Sequence, residues 1–283
     1  MGLVPALLVL AAITVGPALY LLTTSLTPLN LTMPGTAWDF SDPLANYRDL
    51  LDDERFSKSV LTQVKLSVTT VTLQLLIGLA VALLLNSGSR LMAFVRSGFL
   101  VPMVLPPIVV AVIWKLMFAP DVSPLHRALA AVGLPIKSLI ANPDLALWAI
   151  AFVETWEWFP FTMLMVLAAL QMIPAEPIEA AAIDGANRWQ LFRYVLLPYL
   201  QPSLVVAGIF RLIDSIKAFP LIFVLTQGGP GTATEVTNYY GYEQAFNFSY
   251  WGYGSAIATL MVAAVFGLSW LIDRLGHSGD AGD

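Results

Sequence analysis

Residues 179–198 read EAAAIDGANRWQLFRYVLLP. Four charges (Glu179, Asp184, Arg188 and Arg193), a glycine and an asparagine stand here between two long apolar runs. The stretch is too polar to lie in hydrocarbon, where Asp, Lys or Arg at a helix centre costs about 2.5–3.5 kcal/mol each, and too short to be a domain. Its local chemistry predicts two helices and a turn. Pro177 suits the first turn of a helix, because its missing N–H would be unpaired there in any case. Ile178 to Ile183 continue with good helix formers. Gly185 takes a left-handed cap at little steric cost. Asn187 can then cap a second short helix, Arg188 to Tyr194, before Pro198 opens the next apolar run. The expected product is a helix–turn–helix across a membrane face, presenting small alanines and one acid, Glu179.

The surrounding runs set the fold class. Of 283 residues, 58% are hydrophobic and 12% charged, against about 45–50% apolar and about 25% charged in soluble domains. Charge-poor runs of about 20 residues can cross a bilayer as helices. Six qualify: Leu3–Leu26, Val60–Asn86, Gly98–Ala119, Leu145–Leu170, Tyr199–Thr226 and Gly254–Leu275. Spanning barrel strands would show alternating segments of about ten residues instead. The expectation is an all-α, polytopic bundle of six transmembrane helices, a single domain over 1–283, with the quoted stretch in a polar loop at 171–198. The first run lacks a basic flank and exceeds the apolar core of a signal peptide, about 7–15 residues, so it reads as a retained span.

Composition also removes several functions. There is no cysteine, hence no disulfide and no thiolate chemistry. The two histidines, His126 and His277, are far apart in sequence, so no metal site is expected. A net charge of −5 without a basic run argues against a nucleic-acid partner. Flanking positive charges leave the orientation tied: Arg90, Arg96, Arg188, Arg193 and Arg274 on one side, Arg48, Arg55, Lys58, Arg127 and Lys137 on the other.

Ionisable residues inside spans mark pathways or pairs. Lys65 and Lys115 lie near span ends, where they can snorkel. Arg211, Asp214 and Lys217 recur along one side of the fifth run, and Glu154 and Glu157 do so on the fourth. Counting inward from Leu145 and Thr226 sets Glu154 level with Lys217, and Glu157 level with Asp214. On that register Glu154 pairs with Lys217, and Arg211 is taken up by Asp214. The cluster is either an ion-pair lock between helices or the polar wall of a solute pathway, with Glu154, Trp156, Glu157, Asp214 and Lys217 as its candidate residues. Trp156, Trp158 and Phe159 flank the glutamates; aromatic faces stack on sugar rings, but tryptophans in a span are more often packing or interface anchors. The run NYYGYEQAFNFSYWGYG, 238–254, reads mostly as an aromatic belt.

Glu179-Ala180-Ala181, then Gly185, then Val195 and Leu197-Pro198, resembles the EAA loop of the membrane subunits of binding-protein-dependent ABC importers. That family prefers isoleucine where this chain has Val195. MIPAEPIEAAAIDGA (172–186), FLVPMVLPPIVVAVIWKLMF (99–118) and LTQGGPGTATE (225–235) resemble its maltose-type carbohydrate-uptake branch. The resemblance covers nearly the whole chain and carries several implications. The loop would be a coupling helix, with Glu179, Ala180, Ala181, Ile183, Asp184 and Gly185 set in a groove of a cytoplasmic ATPase. The partners would be a second homologous permease, two ATPase subunits and an extracytoplasmic solute-binding protein, and the cargo a small polyhydroxylated solute, carbohydrate or polyol. Both termini would be cytoplasmic and the chain would lie in a bacterial inner membrane.

No phosphate-binding loop of the form G-x-x-x-x-G-K-[ST] occurs. The chain is therefore expected to be no enzyme and to bind no cofactor, with ATP and Mg on the partner ATPase. The acidic segment DLLDDER, 49–55, reads as a solvated helix end, with docking of a binding protein as the alternative. The rival function is an ion-gradient-driven secondary transporter using Glu154, Glu157 and Asp214 as its relay. An intramembrane enzyme is a further alternative, disfavoured by the lack of metal ligands and of a nucleophile–base pair.

Overall fold

The computed structural model describes residues 4–86, 89–120, 123–133 and 138–277. Leu3, expected to open the first span, and Lys137, counted for orientation, lie outside the described residues. Within them the regular structure is helical, without a β-strand. In chain order the helices are α1 (Val4–Ser25), α2 (Ala45–Asp52), α3 (Glu54–Leu85), α4 (Arg90–Val104), α5 (Pro107–Met117), α6 (Pro124–Ala131), α7 (Pro143–Gln171), α8 (Ala175–Ile183), α9 (Arg188–Gln190), α10 (Leu197–Ile216), α11 (Pro220–Leu225), α12 (Thr237–Tyr242) and α13 (Trp251–His277).

Five helices are long and apolar enough to cross a membrane: Val4–Ser25, Glu54–Leu85, Pro143–Gln171, Arg188–Ile216 and Trp251–Trp270. Phe94–Val104 and Pro107–Met117 are long and apolar enough only together, bent by 95°, so the crossings number six if this pair is one broken span and five if it is a re-entrant loop. The expected continuous third helix is thus two pieces. Pro106 and Pro107 supply no amide hydrogens to an ongoing helix, and each restricts the residue before it, so the chain turns at Leu105. The fifth run differs as well. Its helix begins earlier than Tyr199, since Arg188–Gln190, a π-helical turn over Leu191–Leu196 and α10 form one continuous rod. It also stops at Ile216, ahead of Pro220, which starts the short α11.

The chain divides into two compact units, one formed by the chain up to Val64 with the chain from Thr234, the other by Lys65–Ala233. In the first, α1 packs on α13, and α12 and α2 also pack on α13. The apolar window of α1 is otherwise bare, a surface suited to lipid. Asp53 organises this unit. Its Oδ1 accepts the Arg55 and Phe56 amides at 2.8 and 3.1 Å, capping α3, while Oδ2 accepts the Tyr253 hydroxyl at 2.5 Å and that of Tyr240. Burial works to raise the Asp53 carboxyl, but these hydrogen bonds outweigh it and hold it below the ordinary carboxylate range. Arg55 forks onto Glu235, Nε to Oε1 at 2.9 Å and a terminal nitrogen to Oε2 at 2.5 Å, and also reaches Glu243. Burial keeps the Glu235 carboxyl above its usual range despite that pairing. The expected solvated helix end at 49–55 therefore applies to Asp49 and Asp52 but not to Asp53 and Arg55, which are half-buried. The aromatic run beside them is more than a belt, because Tyr240 and Tyr253 are ligands of this acid.

The second unit is built around α7, whose residues are buried along most of its length. Ala82, Leu85, Met163, Val166, Leu167, Leu170 and Leu200 form one apolar core contributed by α3, α7 and α10. Gly78 makes the close approach possible. A Cβ there would lie 2.6 Å from the Thr162 Cβ and 2.9 Å from the Met163 amide nitrogen, closer than packed atoms stand. Gly16 of α1 has open space at the same position. Gly78→Ala should therefore destabilise the purified chain by about 1–3 kcal/mol, as overpacking does, whereas Gly16→Ala should be neutral. Thermal unfolding in detergent reads both, and equal midpoints for the two variants would contradict this packing.

Candidate functional site: an exposed helical turn and a buried charged cavity

The loop at 171–198 folds as its sequence predicts, with two differences. Its first helix starts at Ala175 rather than at Pro177, and its second continues into α10 instead of ending near Tyr194. Gly185 has φ +75°, the left-handed conformation that only glycine adopts without strain. The Ala186 amide donates to the Ala181 carbonyl at 2.9 Å and the Gly185 amide to the Ala182 carbonyl at 3.2 Å, closing the helix end with the 6→1 and 5→2 bonds of a Schellman cap. Asn187 then opens the next helix with a capping box: its side chain accepts the Gln190 amide at 2.9 Å, and the Gln190 side chain accepts the Asn187 amide at 2.8 Å. Among the described residues α8 buries no side chain. Glu179, Ala180, Asp184 and Gly185 are exposed, Ala181 is half-exposed, and Ile183 is 86% exposed.

At the far end of the rod lies Arg211, only 1% exposed. Its Nε donates to Gln74 Oε1 at 2.8 Å, one terminal nitrogen to Glu154 Oε1 at 3.0 Å and the other to Asp214 Oδ2 at 3.3 Å. The Trp158 ring covers the guanidinium, 4.4 Å from its carbon, a cation–π geometry. Gln74 completes the net by donating to the Glu154 carbonyl at 3.1 Å. Three helices, α3, α7 and α10, thus converge on one cation.

Glu154, Glu157, Trp158, Arg211, Asp214 and Lys217 line a cavity of about 240 Å³, with Pro107 and Phe219–Leu221 among its other walls. That is room for about eight waters at about 30 Å³ each. Four of the five residues expected on the pathway meet here. The fifth, Trp156, does not line the cavity; it packs edge-on against Trp114, ring centroids 5.5 Å apart. The expected Glu154–Lys217 pair is also replaced. Glu154 holds Arg211, and Lys217 reaches Asp214 at 3.3 Å. The reason is the helix end. Lys217 lies at the C-cap of α10, just past Ile216, and its side chain turns to Asp214. The expected Arg211–Asp214 contact is present, second to the shorter one with Glu154. Lys115 donates to the Val224 carbonyl at 2.8 Å rather than simply reaching the interface. Sequence reasoning missed Gln74, an amide midway along the Val60–Asn86 run, and, although it noted Trp158 beside the glutamates, it did not place that ring on Arg211.

Comparison with known proteins agrees with this architecture. The family described as "binding-protein-dependent transport system inner membrane component" matches residues 74–277. A probable ABC transporter permease of Sinorhizobium fredii is 34% identical, covering 94% of this chain and 85% of that protein. The trehalose/maltose transport system permease MalF of Thermococcus litoralis is also 34% identical, over 83% of this chain and 79% of its own. Among solved structures, a bacterial ABC transporter involved in the import of the acidic polysaccharide alginate matches with a TM-score of 0.81 at 19% identity, covering 96% and 93% of the two chains, a likeness of fold. The chain therefore belongs to the family of binding-protein-dependent transport system inner membrane components, and it is a multi-pass ABC transporter permease subunit, a transport protein rather than an enzyme. Within the family it groups with the maltose-type permeases of carbohydrate systems.

Removing one partner of a buried, hydrogen-bonded charge typically costs about 3–5 kcal/mol, and removing both costs much less. Arg211→Met should show that loss in thermal unfolding, and Glu154→Gln with Arg211→Met should recover part of it. Lys217→Met, which breaks only an exposed pair, should stay within about 1 kcal/mol of the unsubstituted protein. A Lys217→Met loss as large as that of Arg211→Met would contradict the observed pairing.

Proposed function

We propose that the whole chain, 1–283, acts as one transmembrane domain of an ATP-driven importer for a carbohydrate or polyol delivered by a solute-binding protein. With a second, homologous permease it forms the translocation pathway across the inner membrane, and two ATPase subunits carry the ATP and Mg. The observation that supports this most is the rod itself. One unbroken helix joins the exposed Gly185 turn to the Arg211 cavity across Arg188–Ile216, roughly 35 Å from Arg188 to Arg211 at about 1.5 Å per residue. Displacement imposed on the turn reaches the cavity through this rod, with the π-helical turn over Leu191–Leu196 and Pro202 as the points where it can bend.

In this reading Glu179, Ala180, Ala181, Ile183, Asp184 and Gly185 dock in a groove of the ATPase. Ile183 supplies the apolar anchor, the alanines permit close approach, and the Glu179 carboxylate takes charge-assisted hydrogen bonds from a basic partner. The loop and both termini are then cytoplasmic. Glu154, Glu157, Trp158, Asp214 and Lys217 line the solute path, and Arg211 holds the three helices in register around it. ATP-driven closure of the ATPases moves the two loops, and the cavity changes the side to which it opens, driven by the difference in affinity of the two states for ATP and for the loaded binding protein. Membership of an ABC permease family removes the support for an ion-gradient mechanism, which leaves the exposed turn without a role.

The test is uptake by the assembled importer. Gly185→Trp and Glu179→Lys should each insert normally and abolish uptake, because bulk or reversed charge blocks docking, and the first also strains a left-handed position. The purified chain alone should hydrolyse no ATP, while the assembly should hydrolyse it faster with loaded binding protein. Normal uptake by both variants, or ATP hydrolysis by this chain alone, would overturn the proposal.

A further inference from the structure

The first unit holds a cavity of its own, about 400 Å³, between α1, α12, the π-helical turn over Glu243–Asn247 and α13. No charged side chain lines it, and its walls are mostly apolar, with Leu21, Phe246, Ile257 and Met261 among them. Its extent along the helices is that of one membrane leaflet. Trp251, the first residue of α13 and of its apolar span, stands at one end, where tryptophans mark the boundary between membrane and water. Met261 stands at the other end, about 15 Å further along the helix. On α1 the lining reaches back from Leu21 to Pro17, about 12 Å from the helix end at Ser25. Half of a hydrocarbon core of about 30 Å is about 15 Å, so the cavity runs from the boundary to near the midplane.

Two further observations say what fills it. Tyr20 and Phe246 line the cavity and are exposed, 50% and 62%, so it opens to the surface beside α1, whose apolar window no other part of the chain buries. In a bilayer that surface meets lipid. Water would find few partners among such walls, whereas hydrocarbon needs none. The space holds about a dozen groups of about 30 Å³, the share of a water or a methylene. The second observation is a donor. Trp251 Nε1 is buried, and among the described residues it has no acceptor. Buried donors are paired in nearly all structures. A phospholipid carries an ester carbonyl at the head of each chain, at the depth where this ring stands.

We propose that the cavity is a phospholipid site: it holds one acyl chain against α1 and α13, and the Trp251 indole N–H donates to that chain's ester carbonyl. Because no charged group lines the cavity, the site recognises the chain and ester rather than the headgroup. The inference needs only the membrane spans and stands apart from the proposed solute path.

Native mass spectrometry of the full chain, purified in detergent and titrated with palmitoyl-oleoyl phosphatidylethanolamine or phosphatidylglycerol, tests this. One tightly retained phospholipid per chain is expected, with affinities for the two headgroups within about threefold. Ala258→Trp places an indole in the cavity and should abolish that retention. Trp251→Phe keeps a ring and removes only the donor, and should weaken retention about fivefold, the size of one neutral hydrogen bond; it decides the matter if Ala258→Trp fails to fold. Ile13→Trp, on the bare face of α1 and outside the cavity, should leave retention unchanged. In the assembled importer the same lipid should persist, and Ala258→Trp should remove one phospholipid from the count. No retained lipid in the unsubstituted chain, equal retention by Trp251→Phe, or a preference of tenfold or more for one headgroup overturns the proposal. So does loss of the lipid on assembly, which would give the groove to a helix of the second permease.

Discussion

A single guanidinium sets the constraint that the second unit obeys. Arg211 is all but excluded from water, and a charge in that position is tolerable only when it is paired and hydrogen-bonded, as it is here through each of its three nitrogens. The acceptors come from three different helices: Gln74 on α3, Glu154 on α7 and Asp214 on α10 itself. Their relative heights are therefore tied to one point, and the apolar core built on Met163, Val166 and Leu200 packs in the register that this net allows. The tight passage at Gly78 serves the same end, since α3 must come close to α7 for Gln74 to reach the Glu154 carbonyl.

The same net shows how a charged group can sit in an apolar chain. Arg211 is tied to three helices, while other charged side chains of the cluster are less fully engaged. Arg211 and Gln74 lock; Glu157 and the half-exposed Asp214 and Lys217 remain at the cavity wall. The rod that carries Arg211 begins at the Gly185 turn, where the capping of α8 and of the following helix leaves no slack in the backbone. In the proposed coupling, the capped helix ends on both sides of the turn pass its displacement into the rod.

Much of this was legible in the sequence because its cause is local. Apolar run length marked the membrane helices, and Pro177, Gly185 and Asn187 marked the turn through cap and φ preferences that act within a few residues. The positions of the acids on α7 were legible too, by helical spacing. Partners were not, because pairing depends on where helices end. Ala218 to Leu225 is as apolar as a span, so run length carried the fifth helix on to Thr226, while the helix stops at Ile216. That error raised Lys217 into the place that belongs to Arg211, six residues and about 9 Å away along the helix. The bend at Leu105 was written in Pro102, Pro106 and Pro107, yet length and hydropathy alone do not register it. Gln74 was overlooked because an amide carries no formal charge, although burying it unpaired also costs several kcal/mol, roughly 2–7.

On the proposed coupling, the exposed turn drives the cavity from one side of the membrane to the other. The chain has no cysteine, so a single Ala218→Cys, on the cavity wall, can report access once the other subunits are also made cysteine-free. Its reaction with a membrane-impermeant thiol reagent added outside should be slow without ATP and fast when ATP is bound with loaded binding protein, and the difference should vanish in Gly185→Trp. Equal reactivity in both nucleotide states, or a difference that survives Gly185→Trp, would contradict the coupling of turn to cavity.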